Sequence, residues 1–286
     1  MKSRQKIIDG KKIAEKLYRE VVVTLKEERA KAPDQPPPCL AVVFVGDDEA
    51  SEVYIGQKRK ACAKVGMESI LVRLSKHCSQ DELIFKIREL NERKEVHGIL
   101  LQLPLPAQMD RNLCLAAIAP DKDVDGLTPH SQGCIQLQHP GFYPCTPLGI
   151  MYMLNEITPL QGKKVAVVGY SILVGAPLTV MLVHAGATVF VCNEFSTSPE
   201  DICRAAEILV VAAGVKGLIG KGWVREGGVV IDVGIHRYKG LLVGDVLADE
   251  VMERVSYITP VPGGVGPVTV AMLVKNCLKA WQQQSS

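Results

Sequence analysis

The run Lys164-Val165-Ala166-Val167-Val168-Gly169-Tyr170-Ser171-Ile172-Leu173-Val174-Gly175 decides the fold. Five residues of almost wholly apolar character fit a strand covered on both faces, as in a parallel sheet. A glycine-bounded turn follows, and a helical stretch begins at about Ala176 and runs to Ala185. Such a turn lets a backbone come close to a ligand, and the helix start offers N–H groups and a positive dipole end to a pyrophosphate. The spacing departs from G-x-G-x-x-G, since Ser171 takes the middle place and the last glycine falls one residue late. On this pattern alone, a purely structural turn and a dinucleotide site both remain open.

The pattern continues outward in both directions. Strands at 188–192, 207–212 and 228–232 and a helix at 199–205 complete a small open sheet, and Tyr238-Lys239-Gly240 reads as a hairpin turn. Ala213-Gly214 closes a second small-residue turn at the carboxyl edge, where such sheets bind ligands. Upstream, an amphipathic helix at 11–29 and a Pro-rich link, Pro33 to Pro38, precede a buried strand, Leu40 to Val45. Helices at about 51–65, 80–93 and 110–118 alternate with strands at 69–74 and 97–102, which implies crossovers and a mostly parallel sheet. Pro120 to Pro147 reads as a long Gly/Pro/His-containing loop, and a last helix spans Pro267 to about Trp281. The expected class is α/β with two α/β domains.

Composition removes other classes. The 286 residues are 47% apolar and 22% charged, which suits a packed globule. Lys plus Arg number 33 against 31 Asp plus Glu, a formal charge of +2 with no basic block, so no nucleic-acid partner is expected. The longest apolar runs are too short to cross a bilayer, and no apolar signal core precedes Ile7, so no membrane partner and a cytoplasmic location are expected. Nine cysteines occur without Cys-x-x-Cys spacing, which points to neither a disulfide scaffold nor a metal site. Cys145, between Pro144 and Thr146-Pro147, is the one singled out, with a packed loop residue as its plainer reading.

Several polar residues stand out in the first half. Tyr54 and Lys58 are four apart on a helix and share a face. Gln102 ends an apolar strand, and Leu103-Pro104 fixes its exit. Asp123 and Asp125 occupy alternate positions of an extended loop, so one is expected to point inward. Near the other end, Thr259-Pro260-Val261-Pro262-Gly263-Gly264-Val265-Gly266-Pro267 gives a stiff, close-approaching path into a helix start. In the second half, Glu194 follows the second strand of the sheet. An acid there accepts hydrogen bonds from the adenosine ribose, and a base there welcomes a 2′-phosphate. A solvated loop carboxylate is the plainer alternative.

Taken together, Tyr54-x-x-x-Lys58, Gln102-Leu-Pro-Leu-Pro106, Asp121-Lys-Asp-Val-Asp-Gly126, Pro144-Cys-Thr-Pro147, Gly169-Tyr-Ser171 with Val174-Gly175, Ile231-Asp-Val-Gly-Ile235, Gly244-Asp-Val246 and Pro262-Gly-Gly-Val-Gly-Pro267 carry a resemblance over essentially the whole length. The chain resembles the methylenetetrahydrofolate dehydrogenase/cyclohydrolase family. The resemblance implies a folate-binding catalytic domain, 1–147 with 271–286, a Rossmann-like NAD(P)-binding domain, 148–270, and a cleft between them. It implies oxidation of 5,10-methylenetetrahydrofolate to the methenyl form with NADP or NAD, then hydrolysis to 10-formyltetrahydrofolate, in a homodimer. Lys58, its pKa lowered by desolvation, is the implied proton-transfer group. Tyr54 lies against the folate rings, Gln102 holds Lys58 and places water, and Asp125 takes the pterin N–H groups. Pro262, Gly263 and Gly264 pack against the folate. Gly169, Tyr170, Ser171, Val174, Gly175, Glu194, Ala213, Gly214, Ile235 and Thr269 hold the cofactor.

This chain departs from the family where Tyr170 replaces an Arg or small residue, and where Asn193-Glu194 replaces His-Ser or His-Arg. Those positions help to hold the NADP phosphate that is the family's default, so Tyr170 and Glu194 argue for tolerance of, or preference for, NAD. The alternatives are a cyclohydrolase with an impaired cofactor site and a non-catalytic folate-binding paralogue.

Overall fold

The computed structural model describes residues 7–284. In chain order it contains α1 (Gly10–Lys31), β1 (Cys39–Val45), α2 (Glu49–Val65), β2 (Glu68–Leu74), α3 (Gln80–Glu92), β3 (Gly98–Leu101), α4 (Arg111–Ala116), α5 (Pro129–Leu137) and α6 (Cys145–Asn155). There follow β4 (Lys164–Val168), α7 (Gly175–His184), β5 (Thr188–Cys192), α8 (Pro199–Ala205), β6 (Ile208–Val211), β7 (Val229–Asp232), β8 (His236–Tyr238), β9 (Leu241–Val243), α9 (Ala248–Val251), β10 (Tyr257–Ile258) and α10 (Val265–Gln284). Two compact units result. One is Glu15–Cys145 with the stretch from Val270, and the other is Thr146–Thr269 with the stretch up to Ala14. The sequence reading kept residues 1–147 together. In the structure the first described residues join the second unit, because the Ile8 N–H donates to the Ile258 carbonyl at 2.8 Å and Ile7 bridges Ile258 in parallel.

The first unit holds a three-stranded parallel sheet in the order β2-β1-β3. Every residue of β1 is buried, which is why its run is apolar without alternation. The helices start and stop where their caps dictate. The Asp48 carboxylate accepts the Ser51 N–H at 2.7 Å to open α2, and Gly66 closes it with φ +83°. Ser79 and Glu82 form a reciprocal capping box at α3. Residues 120–147 are not the continuous loop that their composition suggested. Thr128 caps α5, whose first position is Pro129, and α6 begins at Cys145. The Thr-Pro start is a helix signal, but α5 is short and carries no strong apolar stripe.

The second unit holds a five-stranded parallel sheet ordered β10-β7-β6-β4-β5. From β4 the chain steps to β5 on one side, then crosses back to β6 on the other. The order therefore reverses between β4 and β6, and the crevice beyond the carboxyl ends of those strands is the ligand position of open α/β sheets. The hairpin expected at Tyr238–Gly240 is present as β8-β9, with Lys239 and Gly240 at positive φ. Strand β10, two residues long, was not anticipated.

Candidate functional site

In the Glu15–Cys145 unit, three elements bring a lysine, an amide and a carboxylate together. Lys58 lies on α2, and its Nζ donates to Gln102 Oε1 at 3.0 Å. Gln102 directly follows β3. Its backbone N–H continues the ladder to the Val43 carbonyl at 2.8 Å, and the side chain is buried. Its Nε2 donates to the Leu103 carbonyl at 2.6 Å. That bond fixes the amide so that the oxygen faces the lysine. The 102–104 exit includes a cis Leu103–Pro104 bond.

The two aspartates of the 123–125 loop have separate tasks. Asp123 is fully buried and accepts the N–H groups of Gly126, Leu127 and Thr128 and the Ser131 hydroxyl, at 2.6–3.2 Å. It is consumed in holding its own loop. Asp125 instead faces Lys58 and the Cys145 thiol. Burial pushes its carboxyl above the usual range, with the Lys58 charge pulling down and Asp123 pushing up. Cys145 is buried, and burial and then the Asp125 charge push its thiol well above the ordinary value. It is therefore a packed neutral thiol, not a nucleophile. Tyr54 lies one turn before Lys58 on α2, half-buried, and burial raises its phenol pKa.

One contributor had not been anticipated. Asn276, buried on α10, donates through Nδ2 to the carbonyls of Val124 (2.8 Å) and Tyr143 (3.2 Å) and lies 3.7 Å from Cys145 Sγ. It fastens both segments that flank Asp125. Its sequence signal is an amide on a helix whose neighbours Leu273, Val274 and Cys277 are all buried.

The Thr146–Thr269 unit carries the glycine turn. Gly169 has φ +97°, and a Cβ there would lie 2.2 Å from the Ala212 carbonyl oxygen. A Cβ on Gly175 would lie 2.0 Å from the Gly169 carbonyl oxygen. The turns after β4 and β6 are thus packed backbone to backbone, at the point where the strand order reverses. The Ser171 carbonyl accepts the N–H groups of Val174 and Ala176. Val174, the N-cap of α7, contributes no side-chain cap. Tyr170 is 54% exposed. Beyond β5, Asn193 Oδ1 accepts the Phe195 N–H at 3.0 Å, and its own N–H donates to Ser196 Oγ at 2.9 Å. That tight turn leaves Glu194 exposed.

The other nominated positions lie in the same unit. The N–H groups of Ala213 and Gly214 both donate to Asp245 Oδ2, at 2.9 and 2.8 Å. Ile235 is partly exposed, with its Cδ1 3.7 Å from where a Gly266 Cβ would be. Thr269 Oγ1 bonds Thr146 Oγ1 at 3.1 Å. Pro262, Gly263 and Gly264 fall in this unit and not with Lys58. The small size of Gly264 already has an internal reason: a Cβ on it would lie 2.6 Å from the Pro260 carbonyl oxygen, and one on Gly10 would overlap the Gly264 carbonyl. Among the described residues no group of His, Cys, Asp and Glu could hold a metal ion. No helix among them is long and apolar enough to cross a membrane.

Comparison with known proteins joins these observations. Residues 8–125 match the family model for the tetrahydrofolate dehydrogenase/cyclohydrolase catalytic domain, and residues 144–285 match that for its NAD(P)-binding domain. The chain is 45% identical over 285 residues to the bifunctional protein FolD of Desulfovibrio desulfuricans, covering 98% of this chain and 99% of that one. The solved structure of a bifunctional FolD methylenetetrahydrofolate dehydrogenase/cyclohydrolase from Campylobacter jejuni is similar with a TM-score of 0.94 at 42% identity, over 98% of this chain and 99% of that one. A Trypanosoma brucei methylenetetrahydrofolate dehydrogenase-cyclohydrolase, solved with NADP and an inhibitor, gives 0.94 at 34% identity over 98% of both chains. With both parts matched and such identity along nearly its whole length, this chain belongs to the tetrahydrofolate dehydrogenase/cyclohydrolase family.

Proposed function

We propose that the protein oxidises 5,10-methylenetetrahydrofolate to the 5,10-methenyl form with a nicotinamide cofactor and hydrolyses the methenyl form to 10-formyltetrahydrofolate. The observation that carries this reading is the hydrogen bond from Lys58 to an immobilised Gln102, beside an Asp125 that faces the same lysine. The relatives named above, bifunctional by name, support it.

The cofactor fits the chain's residues. Gly169 and Gly175 leave no room for a side chain at a sheet edge of the dinucleotide type, beside the N-terminus of α7. Gly169, Tyr170, Ser171, Val174 and Gly175 would take the phosphates, Glu194 the adenosine ribose, and Ala213, Gly214, Ile235 and Thr269 the remainder. A bound nicotinamide supplies a hydride acceptor, so the chain's own contribution to that step is orientation. In the second step water adds to the electrophilic methenyl carbon. Lys58 takes the proton from that water, and as the carbon–N5 bond breaks the remaining hydroxyl proton passes to N5, which leaves the formyl group on N10. Gln102 Oε1 holds one Lys58 N–H and so aims the amine. Asp125 accepts from the pterin's amino and ring N–H groups, and Tyr54 offers a ring face to the folate.

NAD is used at least as well as NADP on this reading, because Glu194 stands exposed after β5 and no Lys or Arg occurs from Val189 to Asp201. The family resemblance supports a cytoplasmic homodimer. The test is the absorbance of methenyltetrahydrofolate formed from methylenetetrahydrofolate with NAD or NADP, followed by decay of supplied methenyltetrahydrofolate. Absence of product with both cofactors overturns the dehydrogenase, and no acceleration of the decay overturns the cyclohydrolase.

A further inference from the structure

The motifs Ile231-Asp-Val-Gly-Ile235 and Gly244-Asp-Val246 contain two aspartates that the chemistry above does not use. Both are buried, Asp245 at 0% exposure. A buried carboxylate needs several donors to replace water. Each aspartate finds them in backbone belonging to a different turn. Asp245 Oδ2 accepts the N–H groups of Ala213 and Gly214, and its Oδ1 lies 2.7 Å from His236 Nε2. Asp232 Oδ1 accepts from Gly234 and Asp245, both at 3.0 Å, and its Oδ2 accepts from Val246 at 3.0 Å.

The glycines of the two motifs complete the interlock. A Cβ on Gly234 would lie 2.2 Å from Asp245 Oδ1, and a Cβ on Gly244 would lie 1.8 Å from Asp232 Oδ2. Each carboxylate therefore occupies the space that a side chain on the other motif's glycine would fill. The pair binds three segments into one piece: the turn after β6 (213–214), the turn after β7 (233–235) and the 244–246 strap. Ala213, Gly214 and Ile235 are three of the residues assigned above to the cofactor.

We propose that Asp245 is a positioning residue for the nicotinamide nucleotide, its carboxylate setting the β6 and β7 turns in the geometry that the nucleotide meets. The inference rests on the assignment of Ala213, Gly214 and Ile235 to the cofactor. It also says what the β6 turn cannot do. With two N–H groups committed to Asp245, it is no phosphate cradle, and that task falls to the β4 turn.

The test uses the full chain and direct titration with NADH and NADPH, followed by fluorescence, beside the cofactor-free hydrolysis of methenyltetrahydrofolate. Asp245→Ala is expected to weaken NADH binding at least tenfold while the hydrolysis rate stays within twofold. Asp245→Asn is expected to recover most of the affinity, since an amide oxygen still accepts both N–H groups. NADH affinity within twofold of wild type in Asp245→Ala overturns the proposal. So does an equal loss of binding and hydrolysis that Asp245→Asn fails to relieve. If Asp245→Ala does not fold, His236→Ala decides: a threefold or greater weakening of NADH binding supports the proposal, and a smaller change overturns it. Wild-type protein that binds neither nucleotide overturns the underlying cofactor assignment instead.

Discussion

Glu194→Gln is expected to open the enzyme to NADP. The carboxylate follows β5 in a turn whose polar atoms are already engaged by Asn193 and Ser196, so its position is fixed while its head remains in solvent. Two unit charges 4 Å apart repel by about 4 kcal/mol at an effective dielectric of 20, and by about 1 kcal/mol in bulk water. The exposure of Glu194 argues for the lower figure. A 2′-phosphate carries roughly 1.5–2 charges at neutral pH, which gives about 2 kcal/mol at low salt. That corresponds to roughly thirtyfold in kcat/KM for NADP. For NAD the same change replaces a charge-assisted ribose hydrogen bond by a neutral one, and kcat/KM should fall about two- to fivefold. Salt supplies an internal control. The Debye length shortens from about 10 Å at 0.1 M to about 3 Å at 1 M, so the NADP gain should shrink as ionic strength rises. The assay is initial-rate formation of methenyltetrahydrofolate with each cofactor in wild type and variant. An NADP kcat/KM that moves by less than twofold, or a gain that salt leaves unchanged, refutes the electrostatic reading of this turn.

Three further outcomes are expected. Lys58→Ala should lower cyclohydrolase turnover of supplied methenyltetrahydrofolate by about 10²–10⁴-fold, the usual worth of a general base, and a full rate in that variant would remove Lys58 from the chemistry. Asn276→Ala should raise the folate KM more than it lowers kcat, and should cost about 1–3 kcal/mol in chemical denaturation, because the carbonyls of Val124 and Tyr143 lose a buried donor; an unchanged folate KM would show that those contacts do not steer Asp125. Asp232 makes a pH prediction: burial, reinforced by the Asp245 charge, raises its carboxyl to about 6 against its three backbone donors. A folded-state pKa above the unfolded value of ~3.9 means that the native protein binds the extra proton between these limits, so this group makes stability fall as pH rises from about 4 to about 6, by on the order of 2–3 kcal/mol. Denaturant titrations across that range should show this slope in wild type and not in Asp232→Asn, and parallel slopes would refute it.

The architecture was legible because the strands that matter are buried on both faces. β1 and β6 announce themselves as uninterrupted apolar runs and β4 and β7 as runs broken only at one end, by Lys164 and Asp232, and the glycine after β4 marks the edge where strand order reverses. What stayed hidden lacked such a local cause. Strand β10 is two residues long and exists through its pairing with β7, and the first described residues join the Thr146–Thr269 unit through a bond to Ile258, some 250 positions away. The same division runs through the candidate site. Lys58, Gln102 and Asp125 are conspicuous because their chemistry is unusual for their settings on a helix, at a strand end and in a loop. The groups that hold the surrounding backbone are not. Asn276 is an ordinary amide until α10 sets it against Val124, and Asp245 is an ordinary acid until folding places it over Gly234. A reciprocal pattern still leaves a trace, since Asp232 needs a glycine at 244 as strictly as Asp245 needs one at 234. Two Asp/Gly pairs ten residues apart, each aspartate filling the gap left by the other's glycine, amount to a contact written in the sequence. Its reading required knowing that β8 and β9 fold back on each other and bring residues 234 and 245 together.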